Sequence, residues 1–565
     1  ALLKAARRPL YSLAWRPAEL GADAPAAVEV ADFRQIALPT ADPLDVAADA
    51  LQRAQDWIAA EDRDDEARLV FLTEGAAATT ADEDANPVAA AVWGLVRTAQ
   101  SEHPGRFSLL DVDRSEASRA ALEAAIAAGA REPQLALRAG RALAPRLARA
   151  VDGGEGGAEP LDPARTVLVT GGTSGLGAAL ARHLVERQGA RHLLLLSRRG
   201  SEAPGAAELA AELREAGAES VRIEACDIAD RDSLRSLLGS IATDRPLGAV
   251  IHSAAVLDDG VLSSLDRDRL ARVFAAKVEG ARNLHELTRE QELSRFVLFS
   301  SLAGLLGAAG QANYAAANSF LDALATHRRA QGLPGQSIAW GALGIASLLG
   351  SVAEAEQVAE GVRRRLGVVP LPVERALELF DEAAALGQPL LAAVDFDPPA
   401  LRRQARDGAL LPALRDLVRL PAKRMVDTVS LPERLAGIPP EEWETVTIEL
   451  VREHAAAVLG HASAEAIEPD RPFRELGFDS LAAVELRNRL GALSVVPLPP
   501  TLAFDYPSAT ALARHLLAEQ VPGGGAGATP EDGVGAAEEE AIERIDEMDV
   551  DELIEHSLTL QGSEE

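Results

Sequence analysis

The feature that most constrains the fold is a short apolar run that leads through a glycine-rich turn into a helix. Thr166–Thr170 (TVLVT) is typical of a buried strand, and AALARHLVER, which follows the turn, is typical of a helix. Glycines let the backbone approach a pyrophosphate, and a helix N-terminus supplies amide groups and a positive dipole end. The spacing is GxxxGxG rather than GxGxxG, but the strand–turn–helix context predicts a dinucleotide site. The candidate cofactor-binding residues of the turn are Gly171, Thr173, Ser174, Gly175, Leu176 and Gly177.

Three further apolar runs predict the neighbouring strands of this unit. The first, His192–Leu196, ends in a serine and two arginines, and arginine at this place favours the extra phosphate of NADP over NAD. A solvated pair of surface arginines is the alternative. The next strand ends in an aspartate that could accept a hydrogen bond from the adenine amino group, and the last one (AVIHS) ends beside the cofactor. The candidate residues at these strand ends are Ser197, Arg198, Asp227, Ser253 and Ala254.

A second stretch, Phe296–Asn318, carries the candidate catalytic groups. Its opening run FVLF predicts a buried strand, and Ser301 follows it. Tyr314 and Asn318 are one helical turn apart and therefore share a helix face. A serine and a tyrosine that converge on one point can hydrogen-bond a carbonyl oxygen and protonate it. The polar residues within this uncharged stretch exclude a membrane helix, whereas simple packing of the tyrosine remains the alternative.

One of the three lysines in the chain, Lys277, lies in the helical stretch VFAAKVEGARNL. A lysine that faces the site would favour the ionised form of a nearby tyrosine and lower its pKa. The alternative is a surface lysine whose stem covers apolar neighbours.

Composition limits the classes of function. The 565 residues suffice for about three to five domains. A formal net charge of −31 argues against a nucleic-acid partner, and a single cysteine, Cys226, excludes a disulfide framework and a thiolate metal cluster. No metal site is predicted. The first residues lack the apolar core of a signal peptide, so we expect no membrane partner and a cytoplasmic location.

The first part of the chain, to about residue 155, is predicted to be an α/β unit with strands at Phe33–Leu38, Arg68–Thr73 and Phe107–Asp113 and a helix at Asn86–Gln100. No glycine-rich loop follows any of these strands, which favours a scaffold that binds no nucleotide. Asp152–Glu159 (DGGEGGAE) is predicted to be a linker.

The residues from the glycine turn to Asn318 resemble the short-chain dehydrogenase/reductase pattern. In detail they resemble the ketoreductase domain of a type I modular polyketide synthase. As in those domains, the asparagine (Asn318) follows the tyrosine (Tyr314) and the lysine (Lys277) precedes it. The resemblance covers residues 1 to about 400. It implies an α/β fold of two Rossmann-like subdomains, the first degenerate and the second catalytic, followed here by a small all-α helical bundle and a short helical docking tail.

The resemblance also implies a reaction. NADPH would deliver hydride to the β-carbon of a 3-oxoacyl thioester, Tyr314 would protonate the developing alkoxide, Ser301 would hydrogen-bond it and Lys277 would poise the tyrosine. Asn318 would hold this network together. Leu257, Asp258 and Asp259 resemble the LDD signature of B-type ketoreductases, and Leu306 stands where A-type enzymes carry a tryptophan. Both features imply a D-configured (3R) alcohol, while a turn before Gly260 is the alternative role of the two aspartates.

A small helical domain is predicted at Pro439–Glu519. Its string FRELGFDSLAAVELRNRL places Ser480 at a helix start, where serine is a natural N-cap. The string resembles the acyl carrier protein motif around the phosphopantetheine serine. The resemblance implies 4′-phosphopantetheine bound covalently to Ser480, attached by a phosphopantetheinyl transferase.

The last 45 residues hold 14 acidic residues and one basic residue, Arg544. Val521–Gly535 is typical of a flexible linker, and Glu538–Leu560 is acidic and amphipathic. The latter resembles the C-terminal docking segments of polyketide synthase subunits and would pair with a basic-rimmed groove on a downstream subunit. A disordered tail is the alternative.

These observations predict six segments: a structural subdomain (1–155), a catalytic subdomain (160–400), a linker (401–437), an acyl carrier domain (438–519), a flexible linker (520–537) and a docking segment (538–565). No ketosynthase or acyltransferase motif is present, so we expect a fragment that works with upstream domains of those kinds. Two alternatives are a catalytically silent reductase scaffold beside a functional carrier, and a stand-alone short-chain dehydrogenase that acts on free small molecules.

Overall fold

The computed structural model describes residues 8–20, 28–36, 40–60, 67–151, 160–344, 363, 367–406, 408–418, 430–436, 438–459, 463–478, 480–491, 493–494, 496, 498–499 and 501–520. The strands are β1 (Leu10–Pro17), β2 (Val28–Phe33), β3 (Arg68–Glu74), β4 (Phe107–Val112), β5 (Gln134–Arg138), β6 (Arg141–Arg149), β7 (Thr166–Thr170), β8 (His192–Ser197), β9 (Ser220–Ala225), β10 (Leu247–His252), β11 (Arg295–Ser301), β12 (Gln336–Trp340), β13 (Val368–Val369), β14 (Leu390–Ala393) and β15 (Asp395–Phe396).

The α-helices are α1 (Pro43–Ala59), α2 (Pro87–Glu102), α3 (Glu116–Ala120), α4 (Leu122–Ala128), α5 (Gly175–Glu186), α6 (Ala206–Glu215), α7 (Arg231–Gly239), α8 (Arg267–Phe274), α9 (Gly280–Leu287), α10 (Leu302–Leu306), α11 (Ala312–Ala330), α12 (Val373–Leu386), α13 (Pro398–Arg406), α14 (Leu431–Leu435), α15 (Trp443–Leu459), α16 (Ser480–Gly491), α17 (Leu502–Asp505) and α18 (Ala509–Gln520). A π-helical turn, Ala275–Glu279, joins α8 to α9.

One sheet runs through the described part of residues 8–393. Its strand order is β2-β3-β4-β5-β6-β1-β14-β12-β11-β10-β7-β8-β9. The half from β14 to β9 is parallel, and its strand order reverses between β10 and β7, which is where doubly wound sheets bind their ligands. In the other half the parallel strands β2 to β5 follow chain order without a reversal. The predicted pair of Rossmann-like units is confirmed, and only the second has a switch point.

Strand β1 joins the two halves. It pairs antiparallel with β6 on one side, and on the other side it pairs antiparallel with β14 through Leu10↔Ala393 and Tyr11↔Ala392. The N-terminal strand therefore closes the sheet between units that lie far apart in sequence. Hydrophobic periodicity identifies strands but not such long-range partners, and this pairing was not predicted.

Two of the strands and the one helix predicted in the first half match the structure, as β3, β4 and α2. Helix α2 begins where expected, because the Asn86 side chain accepts hydrogen bonds from the backbone N–H groups of Val88 and Ala89. The predicted strand Phe33–Leu38 is wrong, since β2 ends at Phe33. The strand pairs with β3 only over Val28–Phe33, and the described residues 34–36 do not extend it, while residues 37–39 lie outside the described part of the chain.

The predicted linker 401–437 also differs from the structure. Leu401 and Leu414 are buried in one apolar cluster with Tyr11 and Leu147, so this part of the chain packs against both halves of the sheet. Helix α14 lies in the core of the carrier domain. The arginines and prolines of this stretch suggested an exposed connection, but its leucines decide the packing. Residues 419–429 lie outside the described part of the chain.

The carrier domain is a small helical bundle. Helices α14 to α18 contribute to one apolar core that includes Val451, Leu486, Leu502 and Leu512. The second carrier helix begins at Ser480, as predicted, and the preceding Phe473–Leu476 forms a 3₁₀ turn that ends at Gly477 with a φ of 92°. None of the described helices is both long enough and apolar enough to cross a membrane. The predicted linker at 152–159, residues 521–537 of the predicted flexible linker and the docking segment lie outside the described residues.

Candidate active site

Three of the candidate catalytic residues meet where β11 ends and α11 begins. Ser301 is the last residue of β11, and its Oγ accepts a hydrogen bond from Ala303 N at 3.2 Å, which starts α10. Tyr314 lies in the first turn of α11. Asn318 follows one turn later, fully buried, and its Nδ2 donates to the Tyr314 carbonyl oxygen at 2.8 Å. The strand–loop–helix order inferred from the sequence thus places these side chains together.

Lys277 reaches the same point from the π-helical turn between α8 and α9. Its side chain is 2% exposed, and its Nζ donates to Asn318 Oδ1 at 2.8 Å and to the Phe299 carbonyl oxygen at 2.9 Å. The ammonium nitrogen lies 5.1 Å from the centroid of the Tyr314 ring. A π-helical turn widens the backbone locally and often occurs at functional sites. Lys277 is therefore a buried member of this cluster and not a surface lysine.

Burial lowers the pKa of Lys277 to about 7, and the negative charge of Asp322 opposes this shift. Asp322 lies on α11, one turn after Asn318, and burial raises its own pKa to about 6. Its Oδ1 accepts a hydrogen bond from Ser337 Oγ at 2.6 Å. The sequence analysis did not single out Asp322, although it is the first charge after the uncharged stretch that begins at Phe296.

The pKa of Tyr314 is raised, and burial is the main cause. Side-chain hydrogen bonds with Asn318 and Ser301 oppose the rise, whereas the charge of Asp259 adds to it. The net shift is opposite to the lowering expected from Lys277, because burial of the phenol outweighs the interactions that favour its ionised form. Burial also favours the neutral form of Lys277, whose Nζ donates to Asn318 and Phe299.

The glycine turn has the geometry that a pyrophosphate requires. A Cβ on Gly177 would lie 2.2 Å from the Gly171 carbonyl oxygen, so only glycine allows the turn to fold back on α5. Gly175 has a φ of +52°, and a Cβ there would meet no atom within 4 Å. Ser174 precedes α5 without capping it through its side chain, and both Ser174 and Gly175 are exposed. The first amide groups of α5 therefore fit an anionic ligand.

The ends of β7 and β10 are held together beside this turn. Ser253 Oγ donates to the Thr170 carbonyl oxygen at 2.6 Å, and Ala254 N donates to Thr170 Oγ1 at 3.3 Å. A Cβ on Gly171 would lie 3.0 Å from Ala254 Cα. Thr173 is buried in the turn and Leu176 is buried in the first turn of α5. Ser253 and Ala254 thus border the glycine turn, as their place after the fourth strand suggested.

The remaining cofactor candidates lie at the same edge of the sheet. Gly171 N donates to the Leu196 carbonyl oxygen at 2.8 Å, which brings the end of β8 to the turn. Ser197 Oγ accepts from Gly200 N at 2.9 Å, and Arg198 beside it is exposed. Asp227, after β9, is exposed, and its Oδ1 accepts from Ala229 N at 3.0 Å.

The loop Leu257–Asp259 is fixed by ion pairs. Asp258 contacts Arg269 at 2.9 Å and Arg272 at 2.5 Å, and these pairs hold the pKa of its carboxyl below the ordinary value. Asp259 Oδ2 accepts from Gln311 Nε2 at 2.8 Å, three residues before Tyr314. The two aspartates do more than form a turn, since one anchors the loop to α8 and the other ties it to the start of α11.

Leu257 is 61% exposed at this loop, and Leu306, at the end of α10, is buried. Asn313 Nδ2 donates to the Asp258 carbonyl oxygen at 2.8 Å and adds a further link between the loop and α11. Sequence analysis missed Asn313 and Gln311. Their only sequence signal is that they are polar residues beside Tyr314.

Ser480 is the first residue of α16, three residues after Gly477, which ends the 3₁₀ turn. A serine at a helix start fits a residue that carries a covalent phosphate-linked group. The position of its side chain lies outside the described structure. Among the described residues, no group of three or more His, Cys, Asp or Glu side chains could hold a metal ion.

The fold and site define a reductase of the short-chain dehydrogenase type: a parallel sheet with a glycine turn at its switch point and a Ser, Tyr, Lys and Asn cluster beside it. Three family models match the chain. They describe the Rossmann-fold domain of the polyketide synthase extender module SpnB (residues 4–147), a KR domain (165–344) and a phosphopantetheine attachment site (449–516).

Solved ketoreductases match most of the chain. The A-type ketoreductases from a modular polyketide synthase are 34% identical, with a TM-score of 0.61 over 72% of this chain and 97% of theirs. The ketoreductase from the first module of phoslactomycin biosynthesis in Streptomyces sp. HK803 is 32% identical, with a TM-score of 0.62 over 73% of this chain and 99% of its own. The chain belongs to the ketoreductases of modular polyketide synthases, and a phosphopantetheine-binding carrier domain follows the reductase.

Curated relatives are much longer than this chain. The spectinabilin polyketide synthase system protein NorA′ of Streptomyces orinoci is 49% identical over 482 residues, which are 84% of this chain and 13% of that protein. The mycoketide-CoA synthase of Mycobacterium tuberculosis is 49% identical over 380 residues, which are 65% of this chain and 9% of that protein. A KR domain implies NADPH as cofactor, and the attachment domain implies covalent 4′-phosphopantetheine.

Proposed function

We propose that the chain reduces the C3 carbonyl of a 3-oxoacyl thioester, held on a phosphopantetheine arm at Ser480, to a D-configured (3R) 3-hydroxyacyl thioester during polyketide chain extension. The observation that carries this proposal is the buried contact of Lys277 with Asn318 beneath the Tyr314 ring, next to a glycine turn with the shape for a pyrophosphate.

The residues around the glycine turn would hold NADPH. The amide groups at the start of α5 would bind the pyrophosphate, Arg198 would pair with the 2′-phosphate and Asp227 would accept from the adenine amino group. Ser253 and Ala254 line the side of the site toward β10. When bound, NADPH supplies the hydride for the carbonyl carbon.

The side chains of the site would then supply the proton to the C3 oxygen and stabilise the charges that form. As the C3 oxygen gains the electron pair of the C=O bond, the Tyr314 hydroxyl gives it a proton and Ser301 donates a second hydrogen bond. The raised pKa of Tyr314 keeps the phenol protonated at neutral pH, as a general acid requires. Lys277, as an ammonium, stabilises the tyrosinate that remains, and Asn318 holds the lysine in place.

Stereochemical control would come from the loop Leu257–Asp259. The ion pair with Arg269 and the hydrogen bond from Gln311 fix the loop beside the start of α11, which carries Tyr314. An acyl chain that enters along this loop presents one face of its C3 carbonyl to the cofactor. The resemblance to the B-type signature and the absence of tryptophan at position 306 favour the 3R product.

The decisive experiment follows NADPH absorbance with a diffusible 3-oxoacyl thioester, combined with chiral analysis of the product. We expect Tyr314→Phe to lower kcat by about a hundredfold or more, as loss of a general acid does. Tyr506→Phe is the matched control, because Tyr506 lies in the carrier and stacks on His515. Equal rates for wild type and Tyr314→Phe would refute the catalytic assignment, and if neither consumes NADPH above background they would establish the silent-scaffold alternative. A 3S product would refute the stereochemical proposal.

We propose further that a phosphopantetheinyl transferase modifies Ser480. Mass spectrometry should show the gain of one phosphopantetheine in the wild type and none in Ser480→Ala. An unmodified wild type after treatment with an active transferase would refute the carrier role and favour a reductase of free small molecules.

The upstream and downstream partners are proposals of the same kind. Ketosynthase and acyltransferase domains would supply the 3-oxoacyl chain, and residues 538–565 would dock on a downstream synthase subunit. Removal of these residues should weaken binding to that subunit without changing reduction of the diffusible thioester, and unchanged binding would refute the docking role.

A further inference from the structure

Helix α16 of the carrier touches the last turn of α2 in the first half of the sheet. The Arg487 guanidinium donates to the Glu102 carbonyl oxygen, and Asn488 Nδ2 donates to the Ser101 carbonyl oxygen at 3.0 Å. Arg487 is 9% exposed, so this contact removes a charged side chain from water. Burial lowers the pKa of Arg487 to about 10, and the side chain therefore stays cationic at neutral pH.

Both acceptors are backbone carbonyl groups at the C-terminal end of α2. Ser101 and Glu102 are the last residues of α2, and carbonyl groups in a last helical turn have no partner within their helix. They also lie at the negative end of the helix dipole, where a cation is favourable. Arg487 and Asn488 thus cap α2 from another domain of the chain.

The same end of α2 also contacts the loop that precedes Tyr314. The Glu102 side chain is 1% exposed, and its two carboxylate oxygens accept from Gly310 N at 2.8 Å and Leu262 N at 2.7 Å. Gly310 lies four residues before Tyr314, and its carbonyl oxygen accepts from Gly260 N at 2.7 Å. The residue that receives Arg487 therefore also holds the loop of Gly310, which leads to Tyr314, and the segment of Leu262.

The position of the attachment serine on α16 agrees with this arrangement. Ser480 precedes Arg487 by seven residues on the same helix, which corresponds to about 10 Å along its axis. When Arg487 contacts the end of α2, Ser480 therefore lies about 10 Å from that contact along the helix axis. Leu262 and Gly310 contact the Glu102 carboxylate, whereas Arg487 contacts its carbonyl oxygen.

We infer that the end of α2, through the Ser101 and Glu102 carbonyl groups, is the docking site of the chain's own carrier domain when it presents its acyl thioester to Tyr314, with Arg487 and Asn488 as the docking residues. The inference rests on the proposed function, because it assumes that the carrier delivers the substrate of the reductase. It assigns a delivery role to the first half of the sheet, which has no nucleotide turn.

The test compares carrier-bound with diffusible substrate in the full chain. The 3-oxoacyl group is loaded on phosphopantetheine at Ser480, and single-turnover reduction is measured at saturating NADPH, alongside reduction of a diffusible 3-oxoacyl thioester. We expect Arg487→Ala to lower the ratio of the two rates by about tenfold, which is the usual effect of losing a hydrogen bond from a charged group. Asn488→Ala should lower it less, since its donor is uncharged.

Arg489→Ala is the matched control. Arg489 lies on the same helix and pairs with Glu485 of the carrier at 2.9 Å, so the ratio should stay within about twofold of the wild type. Phosphopantetheine loading by the transferase verifies that each variant carrier folds, and Arg487→Lys replaces Arg487→Ala if the latter is not loaded. A loaded Arg487 variant with the wild-type ratio would overturn the docking site. Failure of the wild type to reduce the diffusible thioester would instead refute the proposed function.

Discussion

At the scale of single residues, the site depends on a few buried charges. Lys277 and Asp322 are both buried beside the reacting groups, and each alters the protonation of the other. Arg97, from α2, is also buried near Asp322, and its Nη1 donates to the Gly304 carbonyl oxygen at 2.7 Å. Because these groups have little contact with water, the charge of Asp322 reaches Lys277 with little screening.

We therefore expect kcat/KM for NADPH to fall as the pH rises through about 7, where Lys277 loses its proton. Asp322 raises the pKa of Lys277, so Asp322→Asn should move this fall to lower pH by about half a unit or more. Asp232→Asn, at an exposed position on α7, should leave the profile unchanged. A fall that stays in place, or moves to higher pH, in Asp322→Asn would contradict the assigned role of Asp322.

Sequence reasoning identified the groups whose chemistry is distinctive. Ser301, Tyr314 and Asn318 share one short stretch, and Lys277 stood out because lysine is rare in the chain. The sequence could not identify Asp322, because an acidic residue in a helix looks like a surface residue until its neighbours are known. It also misjudged the pKa of Tyr314, since burial is a property of the packed structure.

At the scale of elements, the close approach of α2 to α11 positions the catalytic tyrosine. A Cβ on Gly94 of α2 would lie 2.2 Å from the Ala315 carbonyl oxygen and 2.6 Å from Ser319 Oγ. Ala315 follows Tyr314 directly. The first half of the sheet thus supports the catalytic helix along its buried face, and Gly94 sets the distance between the two helices.

Gly94→Ala should therefore impair a site to which it contributes no atom. The added methyl group must displace α11, and we expect a loss of about 1–3 kcal/mol in the free energy of unfolding and about a tenfold or larger loss in kcat. Gly239→Ala is the control, since a Cβ at that helix end would meet no atom within 4 Å. Urea unfolding and the NADPH assay measure both effects. A Gly94→Ala protein with normal kcat would show that α11 does not need this support.

Most element types could be predicted from local pattern, and their ends less well. Strand β7 has the expected bounds, whereas α5 begins at Gly175, three residues before the predicted helix, within the glycine turn. The carrier helix predicted to start at Ser480 does begin there, and Gly477, in a left-handed conformation, separates it from the preceding 3₁₀ turn. The stretch 401–437 was misjudged because its charged residues conceal the few leucines that anchor it.

At the scale of the whole molecule, the reductase is one folding unit and the carrier is another. A single apolar cluster contains residues from both halves of the sheet, among them Phe71, Trp93, Leu168 and Phe320. The carrier core is a separate cluster that includes Leu486. The sheet is continuous through β1. We therefore expect the two reductase halves to unfold together.

Calorimetry should accordingly show one transition for both reductase halves and a second one for the carrier. Phe71→Ala, in the half without a nucleotide turn, should lower the transition that NADPH raises, because it removes about 3–5 kcal/mol from a shared core. Leu486→Ala should lower only the carrier transition. If Phe71→Ala leaves the NADPH-sensitive transition in place, the two halves are separate units.

The antiparallel pairing of β1 with β14 has a practical consequence for exchanging reductases between assembly lines. The glycine-rich stretch near residue 155 looks like a natural place to recombine two genes. A junction there would combine β1 from one parent with β14 from another and would mismatch the central seam of the sheet. Grafts should instead take the chain from before Leu10 to beyond Val418 as one piece, so that every strand keeps its native neighbour.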